Sequence, residues 1–155
     1  MGYVEDNLMP GEAVTYRAHL HWVIYLRAAL IALLGLVLLV VEGLVGRTPG
    51  PLAILGVAVL LVAALVWFVQ WVKSRTSEFA VTNKRVIVKV GLVRRDTLEL
   101  LLSKVESIGV DQTVTGRIVG YGSIVVVGTG GTRETFRNIA RPLDFRKQVQ
   151  ARALA

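Results

Sequence analysis

Two uninterrupted apolar runs constrain this chain more than any other feature. From Trp22 to Val41 it reads WVIYLRAALIALLGLVLLVV, 20 residues with one charge, Arg27. From Pro51 to Val72 it reads PLAILGVAVLLVAALVWFVQWV, 22 residues with no charge and one amide, Gln70. A helix rises about 1.5 Å per residue, so each run matches a hydrocarbon layer of about 30 Å. The second run has no polar stripe, which excludes a surface amphipathic helix. A helix pair buried in a water-soluble core is the bland alternative, but core helices rarely stay apolar on every face for this length. A cleaved signal peptide is also a poor fit. Its apolar stretch follows a short basic segment, whereas here the residues before Trp22 include Glu5, Asp6 and Glu12.

The expectation is a membrane hairpin: one helix over residues 22–42, an external turn over 43–50 and a second helix over 51–72. The connector EGLVGRTPG is rich in glycine and proline and carries only Arg47 as a basic residue. Lys73, Arg75, Lys84, Arg85 and Lys89 follow the second run. Basic flanks stay inside, so both termini are placed in the cytoplasm, with the protein multi-pass in the plasma membrane. His21, Trp22, Trp67 and Trp71 are candidate interfacial anchors, because amphipathic rings settle at the headgroup layer. Arg27 lies about one turn inside that boundary and is expected to snorkel outward.

The charge is distributed unevenly. The whole chain carries a net +7, whereas residues 73–155 hold 15 basic and 7 acidic residues, a balance of +8. The pattern there changes to short valine- and isoleucine-rich runs broken by glycine and asparagine, which predicts β-structure. Strands are expected at 77–82, 85–90, 93–102, 104–112, 123–128 and 132–139. In the second of these, Val86, Val88 and Val90 share one face. The fourth begins with Val105 inward and then changes phase to Ile108 and Val110, the mark of a β-bulge. Residues 113–120 suit a single helical turn. The 123–128 run reads as a fully buried strand from its uniform Val and Ile content. Gly130-Gly131 marks a hairpin turn. The 132–139 run is polar and suits an edge. A closing helix starts at Pro142, with Phe145, Val149 and Ala153 on its apolar face. Residues 12–20 alternate as a further strand, marginal alone, that joins the later sheet and brings the count to seven. Residues 1–21 and 73–155 would then form one domain, with the hairpin inserted after its first strand.

Several fragments in this order resemble a known family. They are Pro10-Gly11-Glu12, His21-Trp22, Thr82-Asn83-Lys84-Arg85-Val86-Ile87, Gly91-Leu92 and Lys104-Val105-Glu106-Ser107. Gly116-Arg117, Gly120-Tyr121-Gly122, Gly128-Thr129-Gly130-Gly131-Thr132 and Pro142-Leu143-Asp144-Phe145-Arg146 complete the set. Around a two-span hairpin they resemble the bacterial pleckstrin-homology-like (PH-like) integral membrane proteins, formerly a domain of unknown function. The resemblance implies a bent seven-strand sheet, or partial barrel, capped by a C-terminal helix, and it does not imply an enzyme.

The chemical motifs are few. Gly128–Thr132 lacks the Gly-Lys-Ser/Thr end and the following helix of a phosphate loop. Gly116-x-x-x-Gly120-x-Gly122 lacks the strand–loop–helix context of a dinucleotide site. His19 and His21 have no third ligand in sight and no cysteine exists in the chain, so no metal or other cofactor is expected. Asp96, Glu99, Glu106 and Asp111 have no spacing that argues for acid–base work. No aromatic-and-basic array suggests nucleic acid. The basic residues carry more signal. Lys73, Arg75, Lys84, Arg85, Arg94 and Arg95 are candidates to face anionic headgroups, where each contributes about 1 kcal/mol. A solvated basic face is the equal alternative. Familiar PH domains hold inositol lipids with a K…K/R-x-R pattern in the first hairpin, and only Lys73-Ser74-Arg75 has that form here. Arg133, Thr135 and Arg137 are candidates for a partner-binding strand edge. The reading is a non-enzymatic interaction or scaffolding module at the cytoplasmic membrane face. It would assemble with itself or with another membrane protein. Anionic-lipid binding is the alternative, and an enzyme with an unrecognised site the second alternative.

Overall fold

The computed structural model describes residues 3–46, 50–91, 96–131 and 133–153. The candidates Arg94 and Arg95, together with Arg47 and Thr132, lie outside the described residues. The chain divides into two compact units. One comprises residues 22–72, the other residues 1–21 with 73–155.

The first unit is an antiparallel helix pair. A 3-10 turn at Trp22–Tyr25 leads into α2 (Leu26–Val45), and α3 spans Pro51–Thr76; the short α1 (Tyr3–Asp6) belongs to the other unit. Helix α3 therefore continues past Val72, and Lys73 and Arg75 sit in its last turn. Small residues bring the two helices together. A methyl group placed on Gly35 would come within 2.9 Å of Leu60, and one on Gly56 within 2.9 Å of Leu39. Ala28 and Ala63, each seven residues from its glycine, are buried as well. This seam lets two backbones approach closely, the usual packing device where no water drives helices together. Outside it the surface is apolar, and only 11% of the most apolar stretch of each helix is buried within the protein. At the far end Glu42 accepts a 2.7 Å hydrogen bond from the Gly50 backbone N–H, next to the start of α3.

Among the described residues the second unit holds seven antiparallel strands in two sheets. Sheet one has the order β1 (Val14–Ala18), β2 (Glu78–Thr82), β3 (Arg85–Val90), β4 (Asp96–Leu101). Sheet two has the order β5 (Val105–Asp111), β6 (Tyr121–Gly128), β7 (Arg133–Ala140). The register of β5 against β6 shifts between Val105 and Ser107, the bulge that the phase change predicts. Gly130 and Gly131 turn the β6–β7 hairpin with φ of 106° and 83°, angles that favour glycine. Between β5 and β6 the chain forms α4 (Val114–Val119). The final helix, α5 (Pro142–Ala153), packs on β5, β1, β6 and β2. It buries Phe145 and Val149, and the Phe145 ring meets Tyr16 edge-on at 6.2 Å.

The two sheets are joined at one corner. Leu20 bridges Ile139, the His21 N–H donates to the Asn138 carbonyl, and the Ala140 N–H donates to the His19 carbonyl. Strand β1 thus runs on from sheet one to the end of β7. The Phe79 and Phe136 rings meet edge-on at 6.0 Å in the space between the sheets.

Burial reverses two expectations about strands. Strand β3 is buried without a break from Arg85 to Val88, not on one face only. Strand β6 alternates, with Ile124 and Val126 buried and Val125 and Val127 half-buried. The cause for β3 is the segment before β1. Its Val4 is buried against Ala80 and Ile87, with Tyr3, Leu8 and Val14 alongside. Nothing comparable covers the outer side of β6 among the described residues.

Candidate functional site

The basic residues separate into different environments. Arg85 is a correction: it is 5% exposed and faces no membrane. Its guanidinium donates to both Glu12 carboxylate oxygens at 3.0 Å, to Glu99 at 2.5 Å and to the Asn7 carbonyl at 2.5 Å. Glu12 also accepts from the Thr82 hydroxyl at 2.7 Å and the Met9 N–H at 2.8 Å. Burial alone raises the Glu12 pKa. The bonds from Arg85, Met9 and Thr82 outweigh it and hold the carboxyl down at about 2. Burial opposes the charge on Arg85 as well, but the Glu12 hydrogen bonds come first and raise its pKa. This network, with the bonds from the Tyr3 and Val4 N–H groups to Glu78, straps residues 3–13 over sheet one.

Lys84 donates its ammonium to the Pro10 carbonyl at 2.9 Å. It sits in the β2–β3 turn, at the opposite end of β2 from Lys73 and Arg75. Antiparallel pairing of Ala18 with Phe79 places both chain connections to the helix pair at the other end of sheet one.

The aromatic candidates group at one end of the helix pair. Trp22, Trp67 and Trp71 are exposed. The Tyr25 and Trp67 rings lie 6.2 Å apart, and Phe68 stacks with Trp71 at 6.1 Å. His21 belongs to the other unit, where its ring lies 5.4 Å from Tyr121. Burial lowers the His21 pKa, a bond involving the Val119 backbone acts the other way, and His19 adds to the lowering. The two histidines do not share a strand face, because β1 ends at Ala18. Among the described residues no group of three His, Asp or Glu gathers at metal-binding distance.

Arg133, Thr135 and Arg137 are exposed on β7, the last strand of sheet two. Residues 138–140 at the end of β7 meet residues 19–21, but among the described residues no strand pairs with the outer edge over 133–137. Beside that edge the outer face of sheet two holds an open depression of about 450 Å³. Val125 and Val127 floor it, Gly109 leaves its side open, and Ser107, Asp111 and Arg133 frame it. Its centre is apolar, and Ser107, Asp111 and Arg133 are the polar groups around it.

The single helical turn expected over 113–120 is α4 (Val114–Val119), although none of its residues stood among the site candidates. Thr113 caps it by accepting from the Gly116 N–H at 3.1 Å, and Gly120 ends it at φ 89°. Gly116 must stay small, since a methyl group there would lie 2.6 Å from the Tyr121 carbonyl. Val114 and Ile118, one turn apart, are 75% and 81% exposed. The signal was present in TVTGRIVG: a threonine cap, an i,i+4 apolar pair and a terminal glycine.

Two sheets of four and three antiparallel strands with a C-terminal helix make this unit PH-like. The family model described as "Bacterial PH domain" matches residues 24–153, and the chain belongs to that family. The match takes in the helix pair as well as β2 to α5. Among solved structures, a DUF1696 family protein with a pleckstrin-homology domain from Shewanella loihica PV-4 is similar at 11% identity and a TM-score of 0.42. It covers 52% of this chain and 73% of that one. A search of curated proteins gave no match.

Proposed function

We propose that this is a bacterial plasma-membrane protein that spans the bilayer twice, with both termini in the cytoplasm. Its PH-like unit would stand at the inner face as a non-enzymatic interaction module within a membrane complex. The spanning reading is supported by helices that touch through a narrow small-residue seam and are otherwise apolar outside. The orientation is supported by Lys73 and Arg75 in the last turn of α3. PH-like families are generally non-enzymatic, and the depression on sheet two lacks a set of converging catalytic groups.

The observation that carries the interaction reading is the open edge of β7 beside that depression. An added strand would satisfy the edge and lay side chains over Val125 and Val127. The charges on the edge bear on who the partner is. Symmetric pairing of two copies about Thr135 would set Arg133 directly against Arg137, and like charges opposite one another destabilise a ladder. The edge therefore favours a different chain with acidic residues at those positions. Native mass measurement of the full chain in nanodiscs tests this. The expected result is a defined heteromeric complex that falls apart in R133E/R137E. A monomer with no co-purifying partner overturns it.

The alternative, anionic-lipid binding, is favoured by the exposed apolar pair on α4.

A further inference from the structure

Among the described residues, Val114 and Ile118 are the two most exposed large apolar side chains of the PH-like unit, and they share one short helix. Val119 stands on the same helix and Leu143 in the first turn of α5, exposed at 41% and 43%. The Arg141 N–H donates to the Gly120 carbonyl, and Tyr121 pairs with Ala140, so the end of α4 and the start of α5 are held together. Exposed Arg117 and Arg141 stand among these apolar groups, with Asp144 in the first turn of α5.

The position of α4 matters as much as its composition. The His21 ring lies against Tyr121, the His21 N–H donates to Asn138, and the Ala140 N–H donates to His19. Helix α4 is therefore at the corner of the unit from which the chain continues into Trp22 and the first apolar helix. The unit as a whole carries a net +6 over residues 1–21 and 73–155. Exposed aliphatic groups with arginines around them, on a basic unit, are complementary to the headgroup layer of an anionic bilayer.

We infer that α4 is a membrane-docking wedge: Val114 and Ile118 enter the boundary between headgroups and acyl chains, and Arg117 and Arg141 engage anionic lipid phosphates. The occupant is the anionic bilayer surface itself. The inference rests on the two-span reading above, which brings this corner to the membrane. It differs from the basic candidates of the sequence, since it depends on a short apolar helix with no residue among the site candidates. The wedge would fix the tilt of the unit and leave the β7 edge, on another part of sheet two, open to a partner.

The chain has no cysteine, so one introduced cysteine carries one label. The full chain is made as Ile118→Cys, as Leu36→Cys in the middle of α2 and as Thr129→Cys in the β6–β7 turn. Each is spin-labelled and reconstituted in phosphatidylcholine vesicles containing phosphatidylglycerol. Collision with oxygen reports lipid, and collision with a nickel chelate reports water. The expected result is lipid contact at positions 36 and 118 and water at 129. In Ile118→Cys, adding Arg117→Gln lowers the ratio of lipid-contacting to water-contacting label about fivefold, the share of one basic contact at an anionic surface. Water at 118 with lipid at 36 overturns the wedge and leaves the two spans standing. Water at both overturns the spanning reading with it. A label at 118 shielded from both reagents indicates protein packing and also overturns the wedge.

Discussion

The two sheets of the PH-like unit use similar valine-rich strands and expose them very differently. Strand β3 is buried on both faces over Arg85–Val88, whereas β6 is buried on alternate residues and leaves Val125 and Val127 half-open. The difference comes from a remote piece of chain. Residues 3–13 cross the outer side of sheet one, bring Val4 against Ile87 and supply Glu12 to Arg85. Sheet two has no such strap among the described residues. Sheet one has its outer face covered over β3, and sheet two keeps a face and the β7 edge available. A PH-like unit that is to hold a partner needs that division, because an unpaired edge is an aggregation hazard unless it is limited in extent. Here the pairing of residues 19–21 with the end of β7 leaves 133–137 of that strand open among the described residues.

The largest expected effect tests that division directly. In Arg85→Met, Glu12 keeps its burial and loses its cation. Breaking a buried pair on one side typically costs about 3–5 kcal/mol. The same replacement at Arg133, exposed on β7, stays within about 0.5 kcal/mol. Thermal unfolding followed by circular dichroism, with the full chain in one detergent, compares the two. Equal losses would erase the distinction between the sheets.

Most of the strand pattern was legible in the sequence. The β5 bulge, the Gly130-Gly131 turn, the inserted helix pair and the capping helix follow from phase changes, glycine and apolar length. What covers a strand was not legible. Periodicity reports the side chains of one strand, and the strap over β3 comes from more than 70 residues earlier in the chain. RVIVKV therefore reads as half-buried when it is enclosed, and SIVVVG reads as enclosed when it is half-open. Arg85 was misplaced for the same reason: in sequence it is one more cation in a turn, and only Glu12, far upstream, makes it internal. Helix α4 was legible only as a bare helical turn, for a different reason. Its cap, apolar pair and terminal glycine all stand in the sequence, but six residues carry little periodic signal.

Acid should separate the sheets as well. The Glu12 carboxyl is held at about 2 in the folded chain, against an ordinary value of 4.5. A depressed carboxylate contributes stability that is complete above its unfolded pKa and is lost as the pH falls through the folded one. The unit should therefore lose stability between about pH 5 and pH 2. Glu12→Gln should start less stable and show a flatter fall over that window. Unfolding midpoints taken across the range check the difference in slope. Parallel curves would mean that Glu12 is not tied to Arg85 as the geometry places it.

The same contrast between covered and open surface exists in the helix pair. Gly56 faces Leu39 at the seam, while a methyl group on Gly43 would meet nothing within 4 Å. Gly56→Leu overpacks the seam at a cost of about 1–3 kcal/mol. Gly43→Leu carries no such cost. Disulfide formation between Ala28→Cys and Ala63→Cys, which lie along the seam, should fall sharply with the first change and hold with the second. A yield unchanged by Gly56→Leu would mean that the helices do not meet at these glycines.

The smallest effect is the most informative about the partner. Ile87→Val removes one buried methyl under the strap and should cost about 0.5–1.5 kcal/mol. Val125→Thr changes a half-open side chain on sheet two with little change in shape, and in the isolated chain it should stay within about 0.5 kcal/mol. In the assembled complex the depression over Val125 is covered, and the hydroxyl then enters an apolar contact without a bonding partner. The cost of Val125→Thr should therefore be near zero in the isolated chain and clear in the complex, while Ile87→Val costs the same in both. Equal penalties for Val125→Thr in both settings would mean that no partner ever seats on that face, and would leave the outer side of sheet two as plain solvated surface.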